Sequence, residues 1–120
     1  MTNRIAETVD DRLDQVFHAL ADRTRRALLR RLTAGPAKIT ELAAPFAMSL
    51  PAVSKHVRVL ERAGLVERAV SGRVHRCSFE AAALDDVEGW VAATRQFWTE
   101  RLDSLAAYVA EDDDPIGDRS

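Results

Sequence analysis

The residues best suited to chemistry lie between Ser49 and Arg62. In the run SLPAVSKHVRVLER, Lys55, Arg58 and Arg62 stand at i, i+3 and i+7, and Glu61 is an acidic interruption at the margin. At about 100° per residue a helix gathers these cations on one face with Pro51 and Ser54, and gathers Val53, Val57 and Leu60 on another. The cationic face suits a polyanion. Guanidinium and ammonium groups pair with phosphates or with guanine O6 and N7, and the small Ser54 and Pro51 permit close approach to base edges. His56 flanks the apolar stripe, where it can bond locally or touch a phosphate. A plain solvated amphipathic helix would share this pattern, so the elements around it decide between the two readings.

Other chemistries find less support. Catalysis needs a nucleophile with a base, a carboxylate pair or a glycine-rich phosphate loop, and the sequence shows none. Asp85, Asp86 and Glu88 are explained as acids at the positive end of a helix. A metal site needs several convergent Cys, His or carboxylate ligands. This chain has one cysteine, Cys77, and three histidines, His18, His56 and His75, widely spaced. No metal or other cofactor is therefore expected. Cys77 reads as a buried strand residue, with an oxidation sensor as the alternative.

The cationic segment has marked ends. Ser49 is a good N-cap, Pro51 falls in the first turn where its missing N–H costs nothing, and Gly64 is the stop. Before it, Val9, Leu13, Val16, Phe17 and Leu20 recur at helical spacing and give a first helix to about Ala21. Asp22 then caps a second helix that buries Ala27, Leu28, Leu29 and Leu32 and carries Arg23, Arg25, Arg26, Arg30 and Arg31 outside. Gly35-Pro36 ends it. A short third helix is expected with Thr40 as its cap, limited by Pro45, and with Phe46 and Met48 anchoring the turn that follows. After Gly64 the period changes to alternation. Leu65 to Val70 reads as a strand, Ser71-Gly72 as a turn, and Arg73 to Phe79 as the returning strand. Short helix, tight turn, cationic helix and basic hairpin make a winged helix-turn-helix, in which Arg73 at the wing tip and Arg26 on the second helix meet the nucleic-acid backbone.

From about Leu84 to Ala110 a further helix of some seven turns, roughly 40 Å, keeps an apolar stripe through Val87, Val91, Phe97, Trp98, Leu102, Leu105 and Val109, with Trp90 and Tyr108 beside it. A core of this size cannot cover it. The expected solution is a homodimer seam built from Val9, Leu13, Val16 and Phe17 of the first helix and Trp90, Val91, Phe97, Trp98, Leu102 and Leu105 of the last. A two-fold dimer also spaces two reading helices for two half-sites.

Composition sets the outer limits. With 120 residues and 47% hydrophobic content, one domain over residues 9–110 is enough. Residues 1–8 are expected to be a flexible N-terminus and residues 111–120 an acidic disordered tail. The net charge of −2 is not that of a basic binder, but the distribution is informative: residues 111–118 hold five acids and no base, and Arg23 to Arg31 holds five arginines and no acid. No signal peptide and no apolar run of ~18 residues is present, and a single cysteine fits a reducing compartment. A cytoplasmic protein without membrane contact is expected.

Two long runs carry a family resemblance. Phe17-His18-Ala19-Leu20-Ala21-Asp22-Arg23-Thr24-Arg25-Arg26 and Met48 through Val66 resemble the opening motif and the reading helix with first wing strand of the bacterial ArsR-type winged helix repressors. Gly72-Arg73 and Phe97-Trp98 with Arg101-Leu102 are similar to the wing and terminal helix of its non-metal branch. The resemblance implies a homodimer that binds an operator and blocks transcription. It further implies contacts from Ser49, Pro51, Ser54, Lys55 and Arg58, a wing contact from Arg73, and pairing through first and last helices. Metal-sensing members carry Cys-x-Cys in the third helix or His and acidic ligands in the last. Here the third-helix segment Glu41-Leu42-Ala43-Ala44-Pro45-Phe46 has no thiol or imidazole, and the last helix has no histidine. The sequence thus reads as mainly α with a small β-hairpin, a dimeric DNA-binding transcriptional regulator acting on a palindromic operator. The alternative is a protein-protein interaction module that uses the long terminal helix without DNA.

Overall fold

The computed structural model describes the backbone of residues 7–119 and the side chains of residues 7–111. The expected flexible stretch at 1–8 lies outside the described residues except for Glu7 and Thr8. Thr8 is ordered by the helix it starts: its hydroxyl accepts from the Asp11 N–H at 3.1 Å, and the Asp11 carboxylate accepts from the Thr8 N–H at 3.1 Å. This reciprocal box opens α1, Val9–Leu20. Asp22 then caps α2, Arg23–Thr33, accepting from the backbone of Thr24 at 2.8 Å and of Arg25 at 3.1 Å.

The sheet has three strands, one more than the expected hairpin. After Gly35-Pro36 the chain makes β1, Ala37–Lys38, which pairs antiparallel with a later strand, Ala37 opposite Cys77 and Lys38 opposite Arg76. Two residues are too few to show alternation, so nothing in the sequence signalled it. Helix α3, Ile39–Ala43, begins earlier than expected. Thr40 is inside its first turn rather than its cap. The Lys38 N–H donates to Glu41 Oε1 at 2.7 Å, and that glutamate satisfies the helix start from three residues on. The helix stops short of Pro45, and in the turn beyond it Phe46 packs on the core while Met48 is exposed rather than an anchor.

Helix α4, Leu50–Arg62, has the expected ends: Ser49 Oγ accepts from the Ala52 N–H at 3.2 Å, and Gly64 follows at φ 79°. Leu65 is fully buried and locks the exit, donating to the Leu60 carbonyl and accepting from the Glu80 N–H. Strands β2, Val66–Ser71, and β3, Val74–Phe79, pair antiparallel from Val66 with Phe79 to Ser71 with Val74, giving the order β1-β3-β2. The two-residue loop is Gly72-Arg73, one position later than Ser71-Gly72. Gly72 takes φ 62° while no other residue type among the described residues has positive φ, which is what a type II′ turn asks of its first residue.

Leu28, Leu32, Leu42, Val53, Val57, Leu60, Leu65 and Cys77 form the core of the first of two compact units, which divide at Val87. Burying each Leu or Val contributes about 1.5–3 kcal/mol. Leu13 and Val16, expected in a dimer seam, are instead buried in their own chain at 7% and 3% exposure. The stripe Leu13, Val16, Ala19 is the inward side of α1, and Val9 and Phe17 lie on its exposed side.

A 3-10 turn, Ala81–Leu84, leads into α5, Asp85–Arg119. Asp86 does more than sit at a helix start: its Oδ2 takes the Arg12 Nε at 2.7 Å. The backbone of α5 stays helical past residue 111, where the sequence reading ended the helix and began a disordered acidic tail. The helix runs on through Pro115 and Gly117 to Arg119. In the second unit Trp90, Val91, Phe97, Trp98, Leu102, Leu105, Tyr108 and Val109 are all exposed. Phe97 and Trp98 meet edge to face at 5.7 Å, and the Arg101 guanidinium lies 5.3 Å from the centre of the Phe97 ring.

Candidate nucleic-acid interface

The candidate site is the outward half of α4. Val53, Val57 and Leu60 are completely buried, so the rotation of the helix about its axis is fixed and the opposite residues must face away. Pro51, Lys55, Arg58 and Arg62 are exposed and Ser54 is half-buried. Lys55, Arg58 and Arg62 enter no hydrogen bond or ion pair among the described residues. A row of cations without intramolecular partners is available to an external anion. Ser49 caps through its oxygen lone pair, and its O–H remains a donor.

The wing adds Arg73 at the turn, exposed and likewise without an intramolecular partner among the described residues. Arg76 and Lys38 are exposed and stand opposite one another across β3 and β1. Like charges facing across strands repel, and an anion between them removes that cost. Lys38 was not legible as a site residue, because only the unsignalled strand β1 brings it beside Arg76.

Two expected contacts are partly committed elsewhere. His56 is half-buried, and its Nδ1 lies 3.2 Å from Arg25 Nη1, so the ring faces α2 and offers only its other nitrogen outward. Arg25 also donates to the Ala19 carbonyl at 2.7 Å and the His18 carbonyl at 3.0 Å, closing the end of α1. Arg26 donates through Nη1 to the Leu20 carbonyl at 2.7 Å, but it is exposed and keeps further N–H groups. Arg23, Arg26 and Arg30 still line one open cationic cleft with Thr24, Ala27 and Phe46, of about 430 Å³.

The acid at the edge of α4 is neutralised. Arg68 of β2 donates to Glu61 Oε1 through Nε at 3.2 Å and Nη2 at 3.0 Å, and its Nη1 lies 3.2 Å from His75 Nδ1. Arg68 is one of the cations on the hairpin. Its side chain is 12% exposed and serves an internal pair.

Cys77 is fully buried between β1 and β2, and burial pushes its thiol up from its ordinary pKa, with nearby Arg68 opposing. That is the environment of an inert thiol. Among the described residues no three His, Cys, Asp or Glu side chains converge as metal ligands, and no helix is long and apolar enough to cross a membrane.

Known proteins resemble this chain in sequence and fold. A helix-turn-helix domain family matches residues 20–69, from the end of α1 into β2. The HTH-type transcriptional regulator Rv2034 of Mycobacterium tuberculosis is 37% identical over 105 residues, covering 84% of this chain and 92% of that protein. Among solved structures, the ArsR family transcriptional regulator RHA00566 is 43% identical with a TM-score of 0.73, over 75% of this chain and 93% of that one. The homodimeric winged helix-turn-helix DNA-binding domain Mb0332 of Mycobacterium bovis, a possible ArsR-family regulator, is 26% identical with a TM-score of 0.57, over 72% and 82%.

Proposed function

Since the chain belongs to the ArsR-type winged helix-turn-helix family of DNA-binding transcriptional regulators, we propose that it acts as a homodimeric repressor on a palindromic operator in the cytoplasm. The observation that carries the reading is the division of α4, with three fully buried aliphatics on one side and exposed Pro51, Lys55, Arg58 and Arg62 on the other. Each subunit lays Ser49 to Arg62 in a major groove. Arg58 or Lys55 pairs with guanine O6 and N7, Pro51 and Ser54 allow the approach, and Arg62 and His56 Nε2 reach the flanking phosphates. The Gly72-Arg73 tip follows the backbone or enters the adjoining minor groove, and Arg26 holds a further phosphate.

Support for the dimer comes from apolar surface that stays exposed among the described residues. Phe97, Trp98, Leu102 and Leu105 of α5 are each at least half exposed, a contiguous apolar row larger than a lone soluble chain tolerates. A second copy, joined through this row and through Val9 and Phe17, buries it and presents two reading helices one DNA turn apart. That the Mycobacterium bovis domain similar to this chain is homodimeric supports a dimer as such. Bound across a promoter, such a dimer blocks the polymerase.

The test is selection of a duplex from a random pool, followed by titration of wild type and Arg58→Ala on it. The variant should bind about 1–3 kcal/mol more weakly with an unchanged melting temperature. Wild-type affinity should fall with salt at a log-log slope of about −0.9 per phosphate neutralised. A flat salt profile, or full binding by Arg58→Ala, refutes the assignment.

A further inference from the structure

We propose that Arg68 is a positioning residue for DNA binding: it clamps the wing to the reading helix and cancels the one acidic charge that helix carries. The inference rests on the wing reading given above. Glu61 is the sole acid of α4 and lies in its last turn, next to Arg62. Phosphates approaching α4 would be repelled by an unpaired carboxylate there. Arg68 meets Glu61 Oε1 with two N–H groups, at 3.0 and 3.2 Å, and turns its remaining amine toward His75 Nδ1 at 3.2 Å.

The three residues come from three elements: Glu61 from α4, Arg68 from β2 and His75 from β3. A single planar guanidinium therefore joins the reading helix to both strands of the hairpin. Its fork geometry fixes an angle as well as a distance, which a lysine ammonium does not. The contact is partly buried, with side-chain exposure of 12% for Arg68 and 33% for Glu61, so salt screens it less than a surface pair. The His75 contact requires Nδ1 to carry the lone pair and Nε2 the proton. Held this way, the hairpin keeps one inclination to α4, and Arg73 at its tip reaches the backbone only while α4 occupies the groove. Positional tolerance at such a contact is a fraction of an ångström, and the wing has no other charged tie to α4 among the described residues.

The test is a double-mutant cycle on one selected duplex. Wild type, Arg73→Ala, Arg68→Met and the double variant are titrated, and the cycle is repeated with Arg58→Ala in place of Arg73→Ala. Arg73→Ala should weaken wild type about tenfold, and less than about twofold once Arg68 is Met, because a wing without its clamp has little contact left to lose. Arg58→Ala should cost the same in both backgrounds, which a general loss of folding would not produce. Arg68→Lys keeps the charge that offsets Glu61 but not the fork, so the Arg73→Ala cost should shrink in it as it does beside Arg68→Met. Should Arg68→Met fail to fold, Glu61→Ala breaks the same clamp from the exposed side and should abolish the Arg73 effect equally. An Arg73→Ala cost that is unchanged in the altered background, or full recovery by Arg68→Lys, overturns the proposal while leaving the wing reading intact. An Arg73→Ala variant that binds like wild type removes the wing contact, and the proposal with it.

Discussion

Trp98→Ala separates the dimer from the fold. Trp98 is 57% exposed in the single chain, so truncating it takes little from the subunit's own core and much from any seam it enters. A large aromatic presents about 250 Å², and the exposed share of Trp98 is then about 140 Å². At about 25 cal/mol per Å² its complete burial contributes about 3.5 kcal/mol. If the partner covers half of that area, each subunit loses about 1.8 kcal/mol, and the two-fold doubles it to about 3.5 kcal/mol per dimer. The dimer dissociation constant should therefore rise about 300-fold, at 1.4 kcal/mol per tenfold. Sedimentation equilibrium across a micromolar concentration series reads this directly, with far-UV circular dichroism confirming intact helices. DNA affinity should fall in parallel, since two half-sites no longer engage one particle. A dissociation constant within threefold of wild type, or a wild-type protein that sediments as a monomer at micromolar concentration, refutes the seam.

Two further outcomes follow from the interior. The Asp22 carboxylate is held below the usual carboxylate range by the N–H groups of Arg25 and Thr24, with burial opposing. A depressed folded-state pKa stabilises above the unfolded value and is lost as pH falls through the folded one; Asp22→Ala should cost about 1 kcal/mol at neutral pH, and the gap from wild type should narrow in acid, as read by denaturant titration at several pH values. A gap that is constant with pH argues against the cap. Cys77 should react with iodoacetamide far more slowly in the native protein than in denaturant, and mild peroxide should leave DNA binding unchanged; equal alkylation rates, or DNA released by peroxide, contradict the buried-thiol assignment.

The reading helix was legible because its signals agree. Ser49, Pro51 and Gly64 mark its ends, and Val53, Val57 and Leu60 mark its inner side, so burial and exposure in the structure follow the sequence pattern. The same pattern at α1 misled. Apolar spacing identifies a stripe but does not say whether it faces the core or a second chain, and Leu13 and Val16 turn inward. Side-chain partners were illegible for a related reason. Arg68 and Arg73 look equivalent on a hairpin, and only the fold brings Glu61 within reach of one of them. The cap of α3 was displaced because Glu41 serves the N–H of Lys38 from across the first turn, a bond that a preference for Thr at the cap does not foresee. Strand β1 is defined by its neighbour alone: Ala37 and Lys38 acquire strand geometry from Cys77 and Arg76.

That two-residue strand has a mechanical consequence. It flanks β3 only at Arg76 and Cys77, leaving Val74 and His75 bonded on the β2 side alone. The hairpin is accordingly a cantilever, built in at the root around Cys77 and paired on one side only toward its end. Amide exchange should grade along it, slowest around Cys77 and fastest near Ser71 and Val74, so that the aim of the tip is set by how firmly the root is mounted.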